Sequence, residues 1–220
     1  MTILLALAAA YAGMMLVRYG RRGILVLAPG LLRFGADAGA PPATPGQLQA
    51  GEALASLGFR RLGRRVERGP FGGLELRSDA WVNEGDGAYA DVFEEPDRAG
   101  RGAPLYFLSA FPDGAVALTA NHPRASRADA QVEAGGVAGA SAEAAWAAHR
   151  RAVARLAARH GSPAAPPDLV GREAAARAWY RAAGNRELRR LFLLHFLNAL
   201  FATAILGYAV HGLWRLHRAG

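Results

Sequence analysis

The run Leu191–Trp214 constrains this chain most: 24 residues without one Asp, Glu, Lys or Arg. A helix over it, at about 1.5 Å per residue, reaches roughly 36 Å, enough to cross a bilayer with tilt. Arg189 and Arg190 close one end, Arg215 and Arg218 the other, and Tyr208 and Trp214 lie towards the second interface. Gly184-Asn185 punctuates the chain just before it; Asn185 can cap, and Glu187 suits a first turn. At the other terminus, Thr2–Val17 is 16 residues without a charge, stopped by Arg18, Arg21 and Arg22. A cleavable signal carries its positive charge before the apolar run. Here the arginines follow it, which reads as an uncleaved membrane helix extended at the interface by Tyr19 and a snorkelling Arg18. A second apolar stretch, Gly23–Leu32, is broken by Pro29-Gly30 and is too short to span; it reads as a helix end or an interfacial segment.

Arginine asymmetry sets an orientation. Arg18, Arg21, Arg22, Arg181, Arg186, Arg189 and Arg190 flank the inner ends, against Arg215 and Arg218 outside. The positive-inside rule then puts the intervening region in the cytoplasm and both short termini across a bacterial inner membrane.

The whole chain is 52% hydrophobic, but much of that is small, because 50 of the 220 residues are alanine. What remains supports one modest core. All 26 basic residues are arginine, and the net charge is +8. That excess invites thoughts of nucleic acid, but Arg60, Arg61, Arg64 and Arg65 match no nucleic-acid-binding motif. GC-rich codons account for the bias more simply. The chain has no cysteine, which excludes disulfides, thiolate zinc sites and thiol catalysis.

The chain therefore divides into an N-terminal membrane helix with its juxtamembrane segment (1–34), an Ala/Gly/Pro-rich linker (35–46), a soluble domain (47–184), and a C-terminal membrane helix with its tail (185–220). Gln47–Leu57 suits a short amphipathic helix stopped by Gly58. Phe59–Val66, rich in arginine, reads as an edge strand whose charge discourages sheet-to-sheet association. Leu74, Leu76, Ser78, Ala80 and Val82 alternate with Glu75, Arg77, Asp79 and Trp81, the period-two pattern of a strand with one buried face. Further strands follow over Ala88–Glu94, Pro104–Phe111 and Ala115–Ala120. Turn clusters at 83–87 and 112–114 and a loop over 95–103 separate them. The strand LYFLSAF is apolar on both faces and belongs in the middle of a sheet. Asn121–Gly139 reads as a Gly/Ala-rich loop. Ser141–His160 and Leu169–Ala183 read as helices, with His149 and His160 on the apolar stripe of the first. The fold class expected is α+β: an antiparallel meander of about five strands flanked by helices on one face, with transmembrane helices at both ends.

The polar residues that stand out are Thr119, Asn121 and His122 at a strand exit, and Asp113 in a turn. A general base needs His or a carboxylate within hydrogen-bond reach of the proton it takes. His122 with Asp91, Asp79 or Asp113, joined by His149, is the catalytic candidate. Each residue also has a structural reading: Asp113 as turn chemistry, Asn121-His122-Pro123 as loop chemistry, His149 as a hydrogen-bonded core histidine. Dinucleotide-binding, phosphate-loop, nucleophile-elbow and zinc-protease motifs are absent from the sequence, and no cofactor or metal site is expected. His195 and His211 lie roughly 160° apart around one helix, so they cannot aim at one haem iron. His195, Asn198 and Thr203 form a polar face suited to a membrane-protein partner, with the lipid bilayer as the other partner.

The function expected is a membrane-anchored protein whose α+β domain binds a protein partner or small ligand at the membrane surface. The rival is a membrane-associated hydrolase or transferase using His122 with an acidic partner. A third possibility is electrostatic, with the Phe59–Arg68 strand and the helix from Ser141 lying against anionic lipid headgroups.

Overall fold

The computed structural model describes residues 2–39, 42–94 and 103–219. It resolves into two compact units.

The first unit comprises Met1–Arg33, Arg68–Glu75 and Asn185–Gly220. Helix α1, Thr2–Leu27, continues nine residues past the first arginine, so Gly23–Leu27 completes the same helix before Pro29 ends it in a 3-10 turn, Pro29–Leu31. Helix α5, Asn185–Ala219, lies antiparallel to it. A Cβ on Gly23 would stand 2.9 Å from Phe196 Cα, and one on Gly212 would stand 3.1 Å from Leu5. Ala12, Ala199, Ala202 and Ala209 are buried along the same contact. Small side chains let the two backbones approach, which is how helices associate where water supplies no driving force between them. The large side chains point outwards: Leu4, Leu7, Leu191, Leu194, Phe201 and Tyr208 all exceed 60% exposure. Both helices are long and apolar enough to cross a membrane.

The second unit, Phe34–Glu67 with Leu76–Gly184, is an α+β domain around an open eight-stranded sheet. Its strands are β1 (Arg33–Ala36), β2 (Arg60–Arg68), β3 (Glu75–Asn83), β4 (Ala88–Phe93), β5 (Leu105–Ala110), β6 (Val116–Ala120), β7 (Arg127–Ala128) and β8 (Val132–Gly136), in the order 1-2-3-4-5-6-8-7. The five expected strands are β2 to β6, in chain order. Val82 pairs with Tyr89, Tyr89 with Leu108, and Leu108 with Leu118. As its doubly apolar pattern requires, β5 is central.

Three strands escape the sequence reading. β1 follows α1 after the 3-10 turn and covers the flank of β2, so the arginine-rich strand is not an edge. β7 and β8 form within the supposed loop 121–139, and β8 runs parallel to β6. Its sequence VEAGG has little strand character, but Gly136 lies against the His122 carbonyl where a Cβ would come within 2.0 Å. The glycine is there for close backbone approach. The 95–103 loop expected from the sequence lies, apart from Ala103, outside the described residues, as do positions 40 and 41 of the linker.

Helices cover both faces of the sheet, not one. On the first lie α2 (Pro45–Ser56) and α3 (Ala142–His160), which bury Leu54 and Trp146 against Phe59, Ala90, Leu105 and Phe107. Thr44 and Gln47 close a capping box on α2, and Ser141 caps α3. On the second lie α4 (Leu169–Trp179), capped by Asp168, and a π-turn, Tyr180–Gly184. Trp179 and Ala183 pack there with Tyr89, Leu108 and Leu118. Double coverage explains why Asp79, on the side of β3 expected to face water, is buried at 4% exposure.

Candidate functional site

Because residues alternate along each strand, the buried polar groups sort into two layers, one beneath each set of helices.

On the α4 face, β2 supplies Arg65 and Glu67, β4 supplies Asp91, α4 supplies Arg172 and the π-turn supplies Tyr180. Arg65 Nη1 donates to Asp91 Oδ2 at 3.2 Å, and its Nη2 donates to Glu67 Oε1 at 2.6 Å. Arg172 Nε donates to Asp91 Oδ1 at 3.3 Å, and its Nη2 donates to Oδ2 of the same carboxylate. The Tyr180 hydroxyl donates to Glu67 Oε2 at 2.7 Å. Arg65 is 1% exposed, Asp91 2%, Arg172 4% and Glu67 6%. Burial works against the Arg65 charge, but Asp91 and Glu67 outweigh it and raise its pKa. Burial, then Glu67, push the Tyr180 hydroxyl well above its ordinary range. Tyr89, beneath Arg172, is pushed up to about 12 by burial, and its hydroxyl donates to the Pro166 carbonyl. Two guanidinium groups balance two carboxylates. Both Asp91 oxygens accept from guanidinium groups.

The same face carries His122. Its Nε2 lies 2.7 Å from the Tyr106 hydroxyl, and its Nδ1 lies 3.3 Å from Asn121 Oδ1. Tyr106 is the cross-strand neighbour of Asp91. Arg124 lies over the rings of both Tyr106 and Trp179, at 5.5 and 5.1 Å. His122 is half-buried, so its imidazole–phenol pair is the polar group nearest to a reactive arrangement. Asn121 also pins β5, accepting from Leu105 N at 2.9 Å.

On the opposite face His149 is wholly buried between Ser109 Oγ (3.1 Å from Nε2) and Thr119 Oγ1 (3.2 Å from Nδ1), stacked on Trp146. Burial alone lowers its pKa to about 3, so the ring is neutral and closed to solvent. Asp79 shares this face with Arg61 (2.5 Å), Arg64 (3.3 Å) and the buried Gln47 of α2.

The sheet thus separates the residues grouped at the strand exit: Thr119 turns to His149 beneath α3, while His122 turns to Tyr106 on the α4 face. Asp113 joins neither. Its Oδ2 meets His160 Nδ1 at 2.6 Å, while His160 Nε2 reaches the Ala130 carbonyl at 2.7 Å, tying the end of α3 to the β5–β6 turn. That hydrogen bond raises the His160 pKa and lowers that of Asp113. Sequence reasoning missed Arg65, Glu67, Arg172 and Tyr180. The available signal was Arg65 and Glu67, two apart on one strand face, but Asp91, which Arg65 meets, takes its second guanidinium from Arg172, 81 residues further along the chain.

Within the helical unit, His195 packs against Tyr19 of α1 and Phe192, with ring centroids 5.6 and 5.7 Å away. Thr203 Oγ1 donates to the Ala199 carbonyl one turn back. Among the described residues no group of three His, Asp or Glu side chains converges as a metal site. No family model, curated protein or solved structure matches the chain.

Proposed function

We propose that the chain is a membrane-anchored binding protein. The α1–α5 hairpin crosses the bilayer of a bacterial inner membrane, and the α+β unit is a non-catalytic module that engages a protein partner or small ligand beside it, on the cytoplasmic side. One observation carries the anchoring: the hairpin turns leucine, phenylalanine and tyrosine outwards along its length and hides alanine and glycine inside. In water that surface would far exceed the few hundred Å² of contiguous apolar patch usual on a soluble monomer; in lipid it is solvated. The non-catalytic reading is supported by the commitments of the candidate groups: Asp91 to two arginines, Asp113 to His160, His149 to Ser109 and Thr119.

Membranes from cells making the full chain are expected to keep it through an alkaline carbonate wash and release it only in detergent. Release by carbonate alone would overturn the anchoring. Hydrolytic or transferase turnover by the purified chain, lost on His122→Ala, would replace the binding role with the enzymatic alternative, for which the half-buried His122–Tyr106 pair is the favouring observation.

A further inference from the structure

The turn between β2 and β3, Arg68–Glu75, belongs to the helical unit. It is closed by Gly69 N donating to the Leu74 carbonyl and Gly73 N donating to the Pro70 carbonyl. It is also fastened to α1. Arg22 Nε donates to the Gly73 carbonyl at 2.8 Å. A Cβ on Gly73 would come within 2.2 Å of the Arg21 carbonyl, and Gly69 lies against the fully buried Leu25. At the tip Phe71 has φ 55° and is 73% exposed; among the described residues it is the one non-glycine with positive φ. A bulky side chain pays a steric penalty in that region, and a phenyl ring left in water recovers nothing by burial. Both costs are met if the ring has an apolar medium to enter.

The depth of the turn along the hairpin fits. Gly23 against Phe196 sets Arg21 and Arg22 about level with Leu197 and Asn198, one turn from where Tyr19 meets His195. Polar residues on α5, an aromatic ring, and the exposed Arg18, Arg21 and Arg22 share that level. This is the composition of a membrane–water interface. We propose that Phe71 is an interfacial anchor: the Arg68–Glu75 turn, clamped to α1 at Arg21 and Arg22, inserts this ring among the headgroups of an anionic phospholipid bilayer, with Arg18 and Arg21 beside the phosphates. The proposal rests on the reading that α1 and α5 cross a bilayer.

The test replaces one residue at a time by the photo-crosslinker p-benzoylphenylalanine, which keeps the ring: Phe71, Phe201 on the outer surface of α5, or Arg150 on the exposed side of α3. The full chain is reconstituted in vesicles of phosphatidylcholine with phosphatidylglycerol, or extracted after irradiation in native membranes. Phospholipid adducts are expected at positions 71 and 201 and not at 150. At position 71 the yield should be several-fold higher with phosphatidylglycerol than with phosphatidylcholine alone. Lipid adducts at 201 with none at 71, or a protein adduct at 71 in native membranes, would overturn the anchor and leave the hairpin standing. Equal yields at 71 in both vesicle types would overturn the role given to the arginines. No lipid adduct at either position would overturn the membrane reading, and the anchor with it.

Discussion

Asp91 shows how residue chemistry and position combine. As a lone aspartate on a strand it reads as a base in waiting; in the fold its two oxygens neutralise Arg65 and Arg172 at 2% exposure. Breaking one partner of a buried pair leaves an uncompensated charge, which costs about 3–5 kcal/mol. Asp91→Ala is therefore expected to lower the free energy of unfolding, read from urea titration in mild detergent, by that amount, or to abolish accumulation of folded protein. His149 gives a pH signature instead. Its folded-state pKa of about 3 lies below the ordinary 6.5, so the unfolded chain takes up the proton first. Its contribution is complete above about pH 6.5 and is lost as the pH falls towards 3. Between about pH 6.5 and pH 5 the loss is roughly 2 kcal/mol. The same titration on His149→Gln should lack this component. An identical pH dependence in parent and variant would show that the ring is not held neutral.

At the scale of elements, glycine decides contacts that hydrophobic patterning cannot indicate. Gly23 sits where α1 meets the α5 backbone. Gly23→Val must push the helices apart, and overpacking of this kind costs about 1–3 kcal/mol. The expected result is a lower detergent-unfolding temperature and weaker cross-linking of a cysteine pair placed at Leu5 and Gly212, a clean assay in a chain without native cysteine. The strands β3 to β6 were legible because alternation and tight turns such as Pro112-Asp113-Gly114 are local signals. By contrast, β8 was not, because VEAGG becomes a strand only when β6 offers a parallel partner and Gly136 admits the His122 carbonyl. The arginines of β2 misled for a related reason. Charge in a strand signals an exposed edge only if no acid lies inside to receive it, and here Glu67, Asp79 and Asp91 do.

For the whole molecule, antiparallel α1 and α5 put Thr2 and Arg218 at the same end of the hairpin. Reporters fused before Met1 and after Gly220 should therefore give the same sign of compartment, and the orientation proposed from the arginine asymmetry predicts the outer one. Opposite signs for the two fusions would contradict the hairpin.

What the sequence alone determined is whatever depends on neighbours along the chain: two apolar helices of membrane-spanning length, five strands in order, and the caps and turns that delimit them. Their signals are periodicity, length and local hydrogen-bonding chemistry, each confined to a window of a few turns. Only the tertiary structure decided what long-range contact controls. It covered the sheet on both faces, divided Thr119 from His122, gave Asp91 to arginines 26 and 81 residues away, and seated the Phe71 turn on α1. Pairings across such separations depend on which surfaces meet when the chain closes on itself, and no local pattern encodes that choice.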